Sequence, residues 1–215
     1  MLIQSFLRLF YPLLYHQLAW MYDPVAGAVS VGRWQKWGRS GLPYLAPGGS
    51  VLELGCGPGH LQAALQAGGR TVFGLDESRQ MLRQASRRLR KQGYPLRLAR
   101  GFAQHLPFPE ACFENVVATF PTDYITEAET LAEIRRVLKP GGRLVIVPTT
   151  WITGKSLGER LAAGLFAVTG QAGALQAALA AYKGHIAAGG FAVRHALVES
   201  SGSRVLVIVG EKEGE

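Results

Sequence analysis

The sequence predicts an α/β protein built on a doubly wound, seven-stranded sheet, mainly parallel and finished by an antiparallel C-terminal hairpin. Three observations lead there. From Ser50 onward, short runs rich in β-branched residues alternate with stretches of helical periodicity, the pattern of strand–helix–strand units. The last two strand patterns are separated only by Ser200, Ser201 and Gly202, a link that permits a hairpin but no crossover. The 215 residues, 48% apolar and 18% charged, suffice for one core and lie outside the composition of disordered chains.

In chain order the strands are read at 50–54, 71–76, 96–100, 114–119, 143–148, 191–199 and 203–211. Helices are expected at about 59–68, 78–92 and 126–138, with one or two more inside 155–189. Residues 1–49 and 151–190 have another texture, rich in small and aromatic residues and poor in acids. We read 1–49 as an N-terminal helical cover and 50–215 as the α/β domain, with 151–190 as a second cover segment. Both would lie over the crevice at the carboxyl ends of the strands, where open α/β sheets bind ligands. Linkers are read at 43–49 and 148–154.

The apolar first twenty residues are interrupted by Arg8, Pro12 and His16. They fall short of the ~20 unbroken apolar residues of a bilayer span and lack the basic start and small-residue cleavage site of a signal peptide. A helix docked on the domain is expected, in a cytoplasmic protein; peripheral contact of residues 1–20 with the inner membrane face is the alternative. Cys56 and Cys112 form neither a disulfide framework nor a zinc spacing, and the five histidines show no ligand pattern, so no metal is expected. The net charge is +8, and eight of the 23 cations fall between Arg79 and Arg100, mostly on one helix that reads as a solvated face.

The strongest chemical signal is Glu53-Leu-Gly-Cys-Gly-Pro-Gly59, directly after an apolar strand and before a helix. Glycines at 55, 57 and 59 let the backbone turn tightly and approach a ligand. Asp76 ends the next strand, 21 residues after Gly55, where a carboxylate can accept both hydroxyls of a ribose. A dinucleotide fits less well, because its fingerprint needs glycine where His60 stands and Pro58 removes a backbone donor. Glu53 would repel a pyrophosphate but suits a cationic nucleoside.

Together with Leu75-Asp76-Glu77-Ser78, Met81-Leu82, Gly101-Phe102-Ala103, Leu106-Pro107-Phe108, Phe113-Glu114 and Leu138-Lys-Pro-Gly-Gly-Arg143, this loop resembles the class I S-adenosylmethionine-dependent methyltransferases. The match is nearest to the type 11 group that includes the ubiquinone/menaquinone-biosynthesis C-methyltransferases, and it covers about residues 48–148. The resemblance implies a Rossmann-like fold and S-adenosyl-L-methionine as cofactor. It places Gly55, Cys56, Gly57 and Gly59 beneath the methionine part and gives Glu53 the loop or the ammonium. Asp76 would take the ribose, Glu77 and Met81 the adenosine, Phe102 and Ala103 the adenine, and Thr119 with Phe120 the methyl group. Phe102 stands where the family usually has an aspartate, and Glu114 where it usually has the shorter acid.

A sulfonium methyl needs an in-line nucleophile and exclusion of water, with a base optional. Candidate bases are Tyr22 and Asp23 before the sheet, and Asp123 and Tyr124 after the fourth strand. The segment TFPTDY (119–124) lacks the signature used on exocyclic amines of bases, and the basic helix lies away from the strands' carboxyl ends. The expected acceptor is therefore a small molecule, hydrophobic or lipidic, rather than nucleic acid. A tRNA or rRNA methyltransferase and a non-catalytic S-adenosylmethionine-binding partner protein are the alternatives. Trp34 and Trp37 read as one helix face packed on the core.

Overall fold

The structure, a computed structural model, describes Pro24, Gly27, Ser30 and residues 32–152, 175–200 and 202–214. The expected docking helix at 1–20, Tyr22 and Asp23, most of the 1–49 cover and the 153–174 part of the second cover lie outside the described residues. Among the described residues no helix is long and apolar enough to cross a membrane.

The strands are β1 (Ser50–Leu54), β2 (Thr71–Asp76), β3 (Leu98–Arg100), β4 (Phe113–Thr119), β5 (Leu138–Val147), β6 (Thr150–Ile152), β7 (Phe191–Glu199) and β8 (Ser203–Lys212). The helices are α1 (Trp34–Arg39), α2 (His60–Ala67), α3 (Arg79–Lys91), α4 (Ala128–Val137) and α5 (Leu175–Ala188). The sheet order is β3-β2-β1-β4-β5-β8-β6, with β7 paired to the other edge of β8. The first five strands run parallel, and β8 is antiparallel to β5, β6 and β7.

Why the sheet is buried on both faces is visible in its alternation. Leu52, Val116, Leu144, Ile146, Leu206 and Ile208 join Leu131 and Ile134 of α4 and Ile186 of α5 in one core. Their neighbours Val51, Val117, Val145, Val205 and Val207 join Trp37 of α1 and Leu61 and Leu65 of α2 in the other. Continuous apolar runs are what a sheet covered on both sides requires.

All seven expected strands are present, with three adjustments. β3 is shorter at its start, because it pairs only where Gly74–Asp76 of β2 oppose it. β5 begins at Leu138 rather than Arg143: Leu138 already pairs with Phe113, and the register shifts before Asn115 meets Arg143. The chain thus makes its Pro140-Gly-Gly turn inside the strand, and a side chain on Gly142 would stand 2.8 Å from the Lys139 carbonyl oxygen. An eighth strand, Thr150–Ile152, occupies the expected 148–154 linker; it pairs with Ser203–Val205 of β8, beyond the reach of β5, which covers Ile208–Glu211. The last two strands close as the short link demands, with reciprocal backbone bonds between Ser200 and Ser203.

Glu114 ties the approach to β1 onto β4. Its carboxylate accepts from the Ser50 N–H at 2.6 Å and hydroxyl at 2.8 Å and pairs with Lys139. Burial works against its ionisation, but the Lys139 ammonium and the Ser50 donors hold the carboxyl down at about 2. Asn115 Oδ1 accepts from the Ala46 N–H at 2.7 Å, fixing the preceding residues as well.

Candidate active site

Strand order reverses between β1 and β4, which opens a crevice at their carboxyl ends. The chain leaves β1 through Gly55, Gly57 and Gly59, with φ of +63°, +51° and +81°. Cys56 donates its N–H to the Leu75 carbonyl at 3.0 Å, anchoring the loop to β2. Gly59 then caps α2 in the left-handed conformation. A side chain there would stand 2.9 Å from Ala85 Cβ of α3. Gly59→Ala should therefore cost about 2–4 kcal/mol, combining the left-handed penalty with overpacking. Gly69→Ala, at φ +77° with open space, should cost only about 1 kcal/mol. Denaturant midpoints compare the two, and equal losses would show that the contact with Ala85 carries nothing.

Glu53 faces the crevice just before this loop and is 2% exposed. Its Oε2 accepts from Gln62 Nε2 at 2.8 Å, and the same amide donates to the Phe73 carbonyl at 3.1 Å. Burial pushes the Glu53 carboxyl up to about 8; the Gln62 N–H opposes this and the nearby Asp76 carboxylate adds to it. Gln62 was not singled out from the sequence. Its signal there was a glutamine on the apolar face of a helix reading HLQAALQA, and it is fully buried.

Asp76 is 5% exposed, and both its oxygens are engaged. Oδ2 accepts from the Gly57 N–H at 2.8 Å and Oδ1 from the Ser78 N–H at 2.8 Å, so one carboxylate joins the glycine loop to the start of α3. Its carbonyl accepts from the Gly101 N–H at 3.2 Å, which brings the loop carrying Phe102 alongside. Phe102 is 59% exposed, whereas Ala103 is buried. Glu77 is exposed. Met81 is completely buried, its N–H capped by Ser78 Oγ at 3.3 Å.

Glu53, Gly55, Cys56, Gly57, Thr119 and Phe120 line one open cleft, continued by α1 and the start of α2. Gly59, Asp76, Glu77, Met81, Phe102 and Ala103 are not part of that lining. Phe120 sits at φ +50°, which few aromatic residues adopt, and donates its N–H to the Val147 carbonyl at 2.7 Å. Its ring stacks on Trp34 with centroids 4.0 Å apart. The tryptophan pair thus divides: Trp37 is wholly in the core, and Trp34 lines the cleft. His60, one of the five histidines that show no ligand pattern in the sequence, lines it too.

The 3₁₀ turn Asp123–Thr126 follows β4. The Tyr124 hydroxyl lies 3.1 Å from where a side chain on Gly55 would begin, so it reaches the glycine loop. Asp123 is exposed on the same turn. Cys56 is buried and its Sγ fills the space beside Gly74, 3.0 Å from where a Cβ there would stand. Burial, with the carboxyls of Glu53 and Asp76, pushes its thiol well above the usual range, so the thiolate a redox site needs is suppressed.

Residues 51–142 match the family described as methyltransferase domain. With its sheet order and glycine loop, this part of the chain is similar to methyltransferase domains. The demethylmenaquinone methyltransferase of Symbiobacterium thermophilum is 36% identical over 140 residues, 61% of this chain and 56% of the relative. Its counterpart from Lactiplantibacillus plantarum is 38% identical over 146 residues, 64% of this chain and 61% of the relative. The chain therefore spans less than two thirds of the length of these relatives. A solved structure from Methanococcus maripaludis, described as a candidate S-adenosyl-L-methionine-dependent methyltransferase, superimposes with a TM-score of 0.67 at 16% identity, covering 92% of each chain.

Proposed function

We propose that this protein is an S-adenosylmethionine-dependent methyltransferase whose acceptor is a small lipidic ring, a quinol of the kind its relatives' names imply. The observation that carries the reading is a buried carboxyl, Glu53, facing a cleft floored by glycines, with a second carboxylate, Asp76, closing the same loop. A buried acid without a cationic partner holds its proton, and an ammonium brought into the cleft supplies that partner. The residues present thus fit an aminoacyl nucleoside with a positive charge and a ribose.

S-adenosylmethionine, when bound, supplies an electrophilic methyl that a nucleophile takes in line from about 3–3.5 Å. In this reading Glu53, held by Gln62, orients the ammonium, and Gly55 and Gly57 allow the close approach. Asp76 accepts from the ribose hydroxyls while its bonds to Gly57 and Ser78 fix its position. Glu77, Phe102 and Ala103 surround the adenosine, and Met81 packs behind that site rather than lining it. Thr119 and the Trp34–Phe120 stack give the acceptor ring a flat apolar wall, and Tyr124 or Asp123 takes the phenolic proton.

The reading is tested by incubating the protein with S-adenosylmethionine and a prenylated naphthoquinol lacking the ring methyl. The expected product is one methylene heavier, formed with an equal amount of S-adenosylhomocysteine. Methylation of transfer RNA but not of quinols would overturn the lipidic acceptor.

A further inference from the structure

We infer that the exposed face of α3 is a docking surface for an anionic lipid bilayer. Arg79, Arg83, Arg87, Arg90 and Lys91 are all exposed. At 100° per residue they fall within a third of the helix circumference, opposite the buried Met81, Ala85 and Leu89. From Arg79 to Arg90 they form a row about 16 Å long. Among the described residues none of the five is engaged by an acid, whereas Arg136, Lys139, Arg143 and Arg204 all have carboxylate partners. Glu77, beyond the N-terminal end of the row, is its exposed acidic neighbour in sequence.

A solvated face that serves only solubility mixes both signs of charge. Five unneutralised cations in one row instead create the field that draws an anionic surface. The helix packs on β3, the edge strand, and the chain flanking β3 exposes two large apolar side chains, Leu96 at 38% and Phe102 at 59%. Cations bordered by an aliphatic and an aromatic group suit the headgroup region, where charge meets phosphate and apolar side chains enter the acyl boundary. A nucleic acid would be served better by several stacking aromatics along the row, and α3 carries none. The choice of a lipid surface also rests on the lipidic acceptor proposed above, which resides in such a surface.

The test is co-sedimentation of the full chain with vesicles of pure phosphatidylcholine or of phosphatidylcholine mixed with phosphatidylglycerol. Binding is expected to the anionic vesicles alone and to fall steeply between about 0.05 and 0.3 M salt. The triple variant Arg83→Gln/Arg87→Gln/Arg90→Gln is expected to bind them at least about tenfold more weakly. Its S-adenosylmethionine affinity should equal that of the parent, since none of the three lines the cleft. A reversed variant, Arg83→Glu/Arg87→Glu/Arg90→Glu, should abolish vesicle binding. Equal vesicle binding by parent and variants would overturn the inference. So would absence of binding to anionic vesicles at low salt, or tighter binding to transfer RNA than to vesicles. If cofactor titration succeeds while vesicle binding fails, the docking surface alone is lost; failure of cofactor binding with intact vesicle binding strikes the methyltransferase reading instead.

Discussion

Asp76→Ala is expected to weaken S-adenosylmethionine binding at least about tenfold and to lower the stability of the ligand-free protein by about 1–3 kcal/mol. Two effects combine. The ribose hydroxyls lose a carboxylate acceptor, and charge-assisted bonds of that kind are worth about 1.5–3 kcal/mol. The Gly57 and Ser78 N–H groups also lose the oxygens 2.8 Å away that hold loop and helix in register. Asp76→Asn should show a smaller loss of both kinds, because one amide oxygen can satisfy only part of that set. Isothermal titration reads the affinity and a denaturant melt the stability. Unchanged affinity with lowered stability would mean that Asp76 only ties the loop to the helix, and the ribose assignment would be withdrawn.

Glu53→Gln is expected to abolish a pH dependence of stability. In the ligand-free fold the Glu53 carboxyl rises from its ordinary 4.5 to about 8. Between those values the folded chain keeps a proton that the unfolded chain has released, so stability is complete below 4.5 and declines as pH rises through about 8. Glutamine keeps the shape and cannot ionise, so the variant should melt higher than the parent at about pH 9 and show little difference at about pH 5. Cofactor binding should respond in the opposite sense. An ammonium beside Glu53 requires the carboxylate, so the parent should bind more tightly as pH rises toward 8 and release a proton on binding. The glutamine variant should bind at least about tenfold more weakly, without that proton release. Parallel melting at both pH values would show that Glu53 is not the buried acid that governs this range.

Which parts of this molecule were legible in its sequence follows from where the signal is local. The strands β1, β2, β7 and the hairpin to β8 were fixed by short apolar runs and by the three-residue link at 200–202, features that act within a few residues. The start of β5 and the strand at Thr150–Ile152 were not, since both exist because β8 and Phe113 offer partners far away in sequence. At the site, Gly55, Gly57, Gly59 and Asp76 were legible because their spacing encodes a turn between a strand and a helix. Gln62 and Trp34 were not, because a polar residue within a helix and one tryptophan of a pair acquire meaning only once β1, β4 and α1 meet. Met81 was read as lining a ligand, but its helical position turns it under α3, where Ser78 caps its N–H and the side chain is sealed.

Glu114 shows the same limit from another side. In the sequence it stands only as a longer acid in place of the usual one; in the fold its length lets it reach Ser50 and Lys139 together. Phe102 was legible as a departure, and it is exposed beside the Asp76 backbone; in the function proposed above its ring takes the adenine in place of a hydrogen-bond acceptor.

Central to the proposed function is the binding of S-adenosylmethionine in the glycine cleft. Calorimetric titration of the purified protein with S-adenosylmethionine, S-adenosylhomocysteine and NAD, side by side, tests it most directly. Micromolar binding of the first two and none of the third is expected. Binding of NAD, or silence toward S-adenosylmethionine and S-adenosylhomocysteine, would contradict it.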